Sequence, residues 1–136
     1  MGENLQKQNR RRALFGCLGL AAVALLLVGG ALIGAFYIDR QAAQFPNSRY
    51  ISQHSNYSLP RYARWDDSYA SQETISTVFN WYSTTFDLGT EKQANGNCTF
   101  LEDTKRYGRF ERYMSVLICD VGNERQIYVN RATSIR

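Results

Sequence analysis

The sequence contains one long apolar stretch, residues 13–38, that has no Asp, Glu, Lys, Arg or His. Its 26 residues would form a helix of about 39 Å, whereas the hydrocarbon core of a bilayer is about 30 Å thick. The 98 residues that follow, 39–136, are too few to enclose a helix that is apolar on every side. We therefore predict a transmembrane helix over residues 13–38.

Charged residues flank this stretch unequally. Residues 1–12 hold four basic side chains against one acidic, a net charge of +3, and this basic tail is predicted to lie in the cytoplasm. Residues 39–136, with 12 basic and 11 acidic side chains, are then extracytoplasmic in a single-pass protein of the cell membrane. The stretch exceeds the 7–15 apolar residues of a cleaved signal peptide, so we predict an uncleaved signal anchor. The excess positive charge belongs to the membrane flank, and no nucleic-acid partner is predicted.

Small side chains line part of the predicted span. Gly30 and Gly34 are four residues apart, as are Ala31 and Ala35, so the two pairs lie on adjacent helix faces. Small faces allow a second helix to approach closely, although Gly and Ala are also common in membrane helices generally. We predict that these four residues pack against a helix of another membrane-protein subunit in the lipid bilayer.

Residues 39–60 show no clear periodicity and are predicted to form an irregular juxtamembrane lead-in. Pro46 disfavours a helix at the residue before it. Tyr and Arg concentrate here and just after it, and both types are frequent anchors of protein interfaces. A Tyr-rich sheet with Arg at its edge is the alternative explanation. The predicted partner-contact residues are Arg49, Tyr50, Tyr57, Arg61, Tyr62 and Arg64.

Residues 61–136 are predicted to form a small α+β domain. Alternation within the stretch from Pro60 to Tyr69 predicts a strand. Residues 98–102, 110–120 and 125–132 are rich in aromatic and β-branched residues, which predicts three more strands. The expected order is β-α-β-β-β, one helix packed on an antiparallel sheet of about four strands.

The helix of this domain is predicted from apolar residues at helical spacing between Ile75 and Phe86. Ser71 is the expected N-cap residue, and Gly89 is expected to end the helix in the left-handed conformation.

Two of the three cysteines are predicted to form a cross-strand disulfide. If Gly108 and Arg109 form a two-residue turn, Cys98 lies directly opposite Cys119. The pairs between them then match in charge or in apolar character, except that Lys105 faces Arg112. Two buried free thiols are the alternative, which an oxidising outer compartment disfavours. Cys17 lies in the apolar stretch and is expected to stay reduced.

Catalytic motifs are not found in the sequence. It has one histidine, His54, and no haem-attachment, zinc or phosphate-loop spacing, while Asp66-Asp67 and Glu102-Asp103 would point to opposite faces of a strand. We therefore predict no enzymatic activity, no cofactor, no metal and no small-molecule substrate. The predicted function is a non-catalytic accessory subunit that stabilises a membrane complex. An anchored extracytoplasmic module that binds or senses a soluble ligand or protein is the alternative.

In outline, the chain resembles the small single-pass accessory subunits of bacterial electron-transfer complexes, such as alternative complex III. The resemblance lies in the basic tail at Arg10–Arg12, the single span and the small outer domain. It implies a place in a respiratory or photosynthetic electron-transfer complex, and it assigns no functional residue.

Overall fold

The computed structural model describes residues 2–58, 61–89, 92–93 and 96–136, with side chains from residue 16 onward except those of 92–93. The chain divides into two compact units, Met1–Ala42 and Ala43–Arg136.

The first unit is a single helix, α1 (Gly2–Gln41). Within it, Gly16–Gln41 is apolar enough to cross a membrane, with a mean hydropathy of 2.4, and none of it is buried. The prediction of one N-terminal apolar helix is confirmed, and its length and composition are typical of a membrane anchor or a signal sequence. The basic residues 10–12 belong to the same continuous helix as the apolar stretch.

The second unit is an antiparallel sheet with one described helix. Its order along the sheet is β1-β2-β6-β5-β4-β3, in which β3 is a two-residue edge strand. The elements are β1 (Arg49–Ser58), β2 (Tyr62–Ser71), α2 (Ile75–Phe86), β3 (Lys92–Gln93), β4 (Cys98–Tyr107), β5 (Phe110–Val121) and β6 (Glu124–Ile135). The predicted small α+β fold is confirmed, but the sheet has five long strands where the sequence predicts about four.

The additional strand is β1, in the segment predicted to be an irregular lead-in. Nine of its ten residues are exposed and Ser55 is half-buried, so neither face of the strand is buried. An apolar-polar alternation arises only where one face of a strand is buried. The sequence of β1 therefore lacks the pattern on which the prediction depended.

The ends of α2 also differ from the predicted ones. Thr74 is the N-cap, and its side chain accepts a hydrogen bond of 3.2 Å from the amide of Thr77. Ser71 instead ends β2 and accepts a hydrogen bond from the amide of Glu73. At the other end, Asp87 takes the left-handed conformation (φ 52°), two residues before Gly89. Asp residues tolerate this conformation because their short polar side chains bond locally.

The core lies between α2 and one face of the sheet. Val78 and Tyr82 are completely buried against strand residues that include Leu101, Val116 and Ile118. The segment before β1 joins this core, because Ala43 is 1% and Phe45 4% exposed. The Phe45 ring meets Trp81 edge-on at 5.4 Å between centroids. The compact unit that contains the sheet therefore includes the chain from Ala43 onward.

The β4–β5 hairpin has the predicted register, with Tyr107 opposite Phe110 and Cys98 opposite Cys119. Gly108 has φ +61°, and as the first residue of a two-residue turn it fits a type II′ hairpin. Cys98 and Cys119 form a disulfide bond, with their Cα atoms 4.1 Å apart. Cys17 is a free cysteine.

Candidate interaction surface

Strand β1 forms an exposed edge of the sheet. Among the described strands its neighbour is β2, on one side only. Tyr50, Ile51 and Tyr57 leave 46%, 42% and 52% of their surface exposed. Half of the backbone N–H and C=O groups of an edge strand point away from the sheet, where an extended chain can add as a further strand.

The six predicted contact residues lie on this edge and its hairpin, but at two separate ends. Arg49 and Tyr50 begin β1, whereas Tyr57 lies at its other end, about 20–25 Å along the strand. Arg61 is exposed in the β1–β2 connection, where its amide donates to the carbonyl of Ser58. Tyr62 and Arg64 follow at the start of β2.

The six residues also divide between the two faces of the sheet. Tyr50 is paired with Tyr69, and Tyr57 with Ala63, both buried residues of the face that α2 covers. The Tyr50 and Tyr69 rings meet at 5.9 Å between centroids. Arg49, Tyr62 and Arg64 lie on the opposite face, because side chains alternate along a strand. The residues that are close in sequence therefore do not form one continuous patch.

Two of the arginines already form exposed ion pairs. Arg49 contacts Glu124 at 3.2 Å, and Arg64 contacts Asp66 at 3.0 Å. Asn130 also donates a hydrogen bond to Asp66. The hydrogen bond to the Asp66 carboxylate raises the pKa of Arg64 above its usual value. Exposed pairs of this kind contribute on the order of 0–1 kcal/mol, so a binding partner can replace them at small cost.

The acidic doublet on β2 is split as the strand geometry predicts. The side chain of Asp66 is 37% exposed, whereas Asp67 is 5% exposed on the face that α2 covers. Tyr69 donates a hydrogen bond to Asp67 at 3.4 Å. Arg131, 4% exposed, lies 5.0 Å from the centre of the Phe86 ring. Asp67 and Arg131 are therefore buried inside the domain, where their charged groups are positioned for contacts within the core and not for contact with a substrate.

The face of the sheet opposite α2 is polar and partly exposed. Ser52 and Ser68 share a hydrogen bond of 2.6 Å across β1 and β2, and Tyr113 donates one of 3.0 Å to Glu102 across β5 and β4. On β1, His54 lies on this face opposite Asp66. The predicted contact residues did not include residues 51–56, which lie on the same exposed strand between Tyr50 and Tyr57. Their sequence has no apolar-polar alternation that would have indicated the strand.

A shallow cleft of about 460 Å³ lies beside the start of α2 and the disulfide-bonded strands. Arg125 and Asp120, which form an ion pair of 3.1 Å, supply its charged side chains. Its remaining lining is Thr74, Ile75, Ser76, Phe79 and Thr99.

The small-residue face of α1 is open within the described chain. A Cβ atom added at Gly30 or Gly34 would meet no described atom within 4 Å outside its own helix backbone. Ala31 and Ala35 are exposed. Contacts within the described chain therefore do not require glycine at either position.

Among residues with described side chains, no group of three or more His, Cys, Asp or Glu is arranged to hold a metal ion. No protein-family model matches the sequence, and no curated protein shows significant similarity to it.

Proposed function

We propose that this chain is a single-pass, non-catalytic accessory subunit that helps to hold a larger membrane assembly together. Its N-terminus lies in the cytoplasm and its sheet domain outside. The observation that carries the proposal is the exposed edge strand β1, ten residues long and bordered by Arg and Tyr. Such an edge is a site for association, and natural proteins usually shield it.

The apolar helix supports the same proposal. It has small residues on adjacent faces and an unburied apolar surface, which together suit packing against a helix of another subunit. In outline the chain resembles accessory subunits of electron-transfer complexes, and we propose such a complex as its setting.

The polar chemistry of the domain supports a non-catalytic role. His54 stands on an exposed strand, and the buried carboxylate of Asp67 lies on the other face of the sheet. General acid-base catalysis needs converging groups within reach of one substrate atom. These two groups do not converge.

A second candidate function is an anchored module that binds a soluble ligand. The cleft beside α2 favours it, because Arg125 and Asp120 could orient a polar ligand there. The cleft is shallow, however, whereas small-molecule sites usually bury most of the ligand surface.

Purification of the full-length protein in a mild detergent, with mass spectrometry of co-eluting chains, tests the main proposal. We expect a stoichiometric partner that is lost when Gly30 and Gly34 are both replaced by Leu, because the larger side chains block close helix approach. Gly29→Leu is the control, since at 100° per residue it lies about 170° from the middle of the face formed by Gly30, Ala31, Gly34 and Ala35.

A protein that elutes without a partner chain would contradict the accessory-subunit proposal. The ligand-binding alternative predicts that the glycine substitutions have no effect and that the outer domain alone retains a ligand.

A further inference from the structure

The exposed edge of β1 lacks most of the features that protect edge strands from pairing with another chain. Edge strands are commonly protected by Lys, by Pro, by inward-pointing charge, by β-bulges or by being short. From Tyr50 to Ser58 this strand has no Lys, Arg, Asp, Glu or Pro, and the strand is ten residues long. Of these protective features it has a single β-bulge, at Ile51 near one end, between the residues paired with Tyr69 and Ser68.

We propose that β1 pairs with β1 of a second copy of this chain, antiparallel and about a two-fold axis through His54. Two six-stranded sheets would then join into one continuous sheet. This inference goes beyond the proposed function, since it assigns the β1 edge to a second copy of the chain within the assembly. The apolar helix and the hairpin end with Arg61 and Arg64 are then the surfaces for other subunits.

The two faces of β1 allow this register. The bulge places Tyr50, Gln53, Ser55 and Tyr57 on the side that α2 covers, as their β2 partners show. Residues opposite each other in an antiparallel pair share a face. With His54 at the axis, Gln53 meets Ser55 and Ser52 meets Asn56 of the second copy. Ile51 is the extra residue of the bulge, so the next pairs are Tyr50 with Tyr57 and Arg49 with Ser58. Every one of these pairs joins residues of the same face.

Other registers fit less well. A shift of one residue puts residues of opposite faces against each other, which the pleat of the strands does not allow. A shift of two residues restores the faces, but it separates Tyr50 from Tyr57 of the second copy. With the axis at Ser55 it also brings Arg49 toward the connection that carries Arg61, so like charges approach.

The proposed register is chemically self-complementary. It forms two symmetry-related Tyr50–Tyr57 pairs from side chains that are 46% and 52% exposed in the single chain. Aromatic cross-strand pairs stabilise antiparallel sheets. The two Arg49 residues lie at opposite ends of the joined strands, so their charges do not meet. A two-fold axis with the same surface on both chains is also the commonest symmetry of homo-oligomers.

Membrane anchoring favours such a pairing. Two copies held in one membrane have a higher effective concentration than two molecules free in solution, so a modest surface is sufficient. In this arrangement the second copy is the partner of Tyr50 and Tyr57, while Arg61, Tyr62 and Arg64 remain available for other subunits.

Cysteine cross-linking of the full-length protein in mild detergent tests the register. In a Cys17→Ser background, His54→Cys places two thiols directly opposite each other, at the 4.5–5.5 Å Cα separation that a disulfide can bridge. We expect at least tenfold more covalent dimer than with Ser58→Cys. That control lies on the same strand and face, but its two copies would be about 27 Å apart.

A mixture of Arg49→Cys and Ser58→Cys chains, carrying different tags, should cross-link between the two tags. Equal cross-linking of His54→Cys and Ser58→Cys would indicate random collision and overturn the proposal. So would a His54→Cys protein that links to a different polypeptide, because the edge would then belong to another partner.

A charge-exchange pair gives an independent measurement by sedimentation. Gln53→Lys with Ser55→Lys puts Lys opposite Lys at two sites, and we expect at least tenfold weaker dimerisation. Gln53→Lys with Ser55→Glu puts Lys opposite Glu, and dimerisation should be retained. Equal dimerisation of the two variants, or a monomeric parent protein, would contradict the pairing.

The two proposals can fail separately. A monomer that still co-elutes with a stoichiometric partner would overturn this inference alone. A dimer without any partner would overturn only the proposed function.

Discussion

At the scale of single residues, Tyr82 links the segment before β1 to the core. Its hydroxyl donates a 2.8 Å hydrogen bond to the carbonyl of Ala43, and its ring is completely buried. Phe45 packs beside it, with the two ring centroids 6.4 Å apart. One side chain of α2 therefore fixes a backbone group that is 39 residues earlier in the chain.

Replacing Tyr82 by Phe tests this link. The substitution leaves the buried Ala43 carbonyl without its donor, and we expect the free energy of unfolding to fall by about 1–3 kcal/mol. Urea unfolding of the segment 39–136, which keeps Ala43 and Phe45, gives the measurement. Tyr128→Phe is the control: its hydroxyl donates to Gln126 from a side chain that is 43% exposed, so its loss should change stability little.

The difference in stability between the parent protein and Tyr82→Phe is also predicted to depend on pH. Burial raises the pKa of Tyr82 above its usual value, because the phenolate would lose its hydration. The unfolded chain then releases this proton at about pH 10, before the folded one, so stability falls as pH rises above that value. Tyr82→Phe should lack this component. A stability difference that stays constant through pH 11 would contradict it.

At the scale of elements, predictions succeeded where burial imposes a pattern. Residues of α2 at helical spacing, such as Val78 and Tyr82, are the buried ones. The register of β4 and β5 follows from a turn at Gly108 and matched pairs. By contrast, β1 is exposed on both faces and has no apolar periodicity. It pairs with β2 through backbone hydrogen bonds, which do not depend on a side-chain pattern and therefore cannot be predicted from one.

The β4–β5 hairpin is further constrained by its disulfide. Cys98 and Cys119 close a loop with a sequence separation of 21 residues. Replacing both by Ser should lower the free energy of unfolding by about 3 kcal/mol, chiefly because the unfolded chain regains freedom. Urea unfolding of the segment 39–136 measures this, and reduction of the parent protein should reproduce the loss. Free alkylation of both thiols in the folded, unreduced protein would argue against the bond.

At the scale of the whole molecule, the residue types of the interaction surface could be predicted from the sequence, but the positions of these residues on the surface could not. Tyr and Arg of interface character are visible in the sequence, whereas their division between two strand ends follows from β1, which the sequence did not indicate. Tyr50 and Tyr57 share a face only because the bulge at Ile51 changes the alternation between them. A bulge depends on the strand partner and cannot be read from one strand alone.

The orientation of the chain in the membrane is the prediction on which the whole-molecule proposal depends. By the positive-inside rule, the basic residues before the apolar stretch predict a cytoplasmic N-terminus. In a Cys17→Ser background, a membrane-impermeant thiol reagent should therefore label Thr84→Cys, an exposed position of α2, in intact cells. Gln8→Cys, in the basic tail, should react only after permeabilisation. Labelling of Gln8→Cys in intact cells would reverse the topology. A mature protein whose mass lacks residues 1–38 would show instead that the helix is a cleaved signal sequence, and the membrane-subunit proposal would then fail.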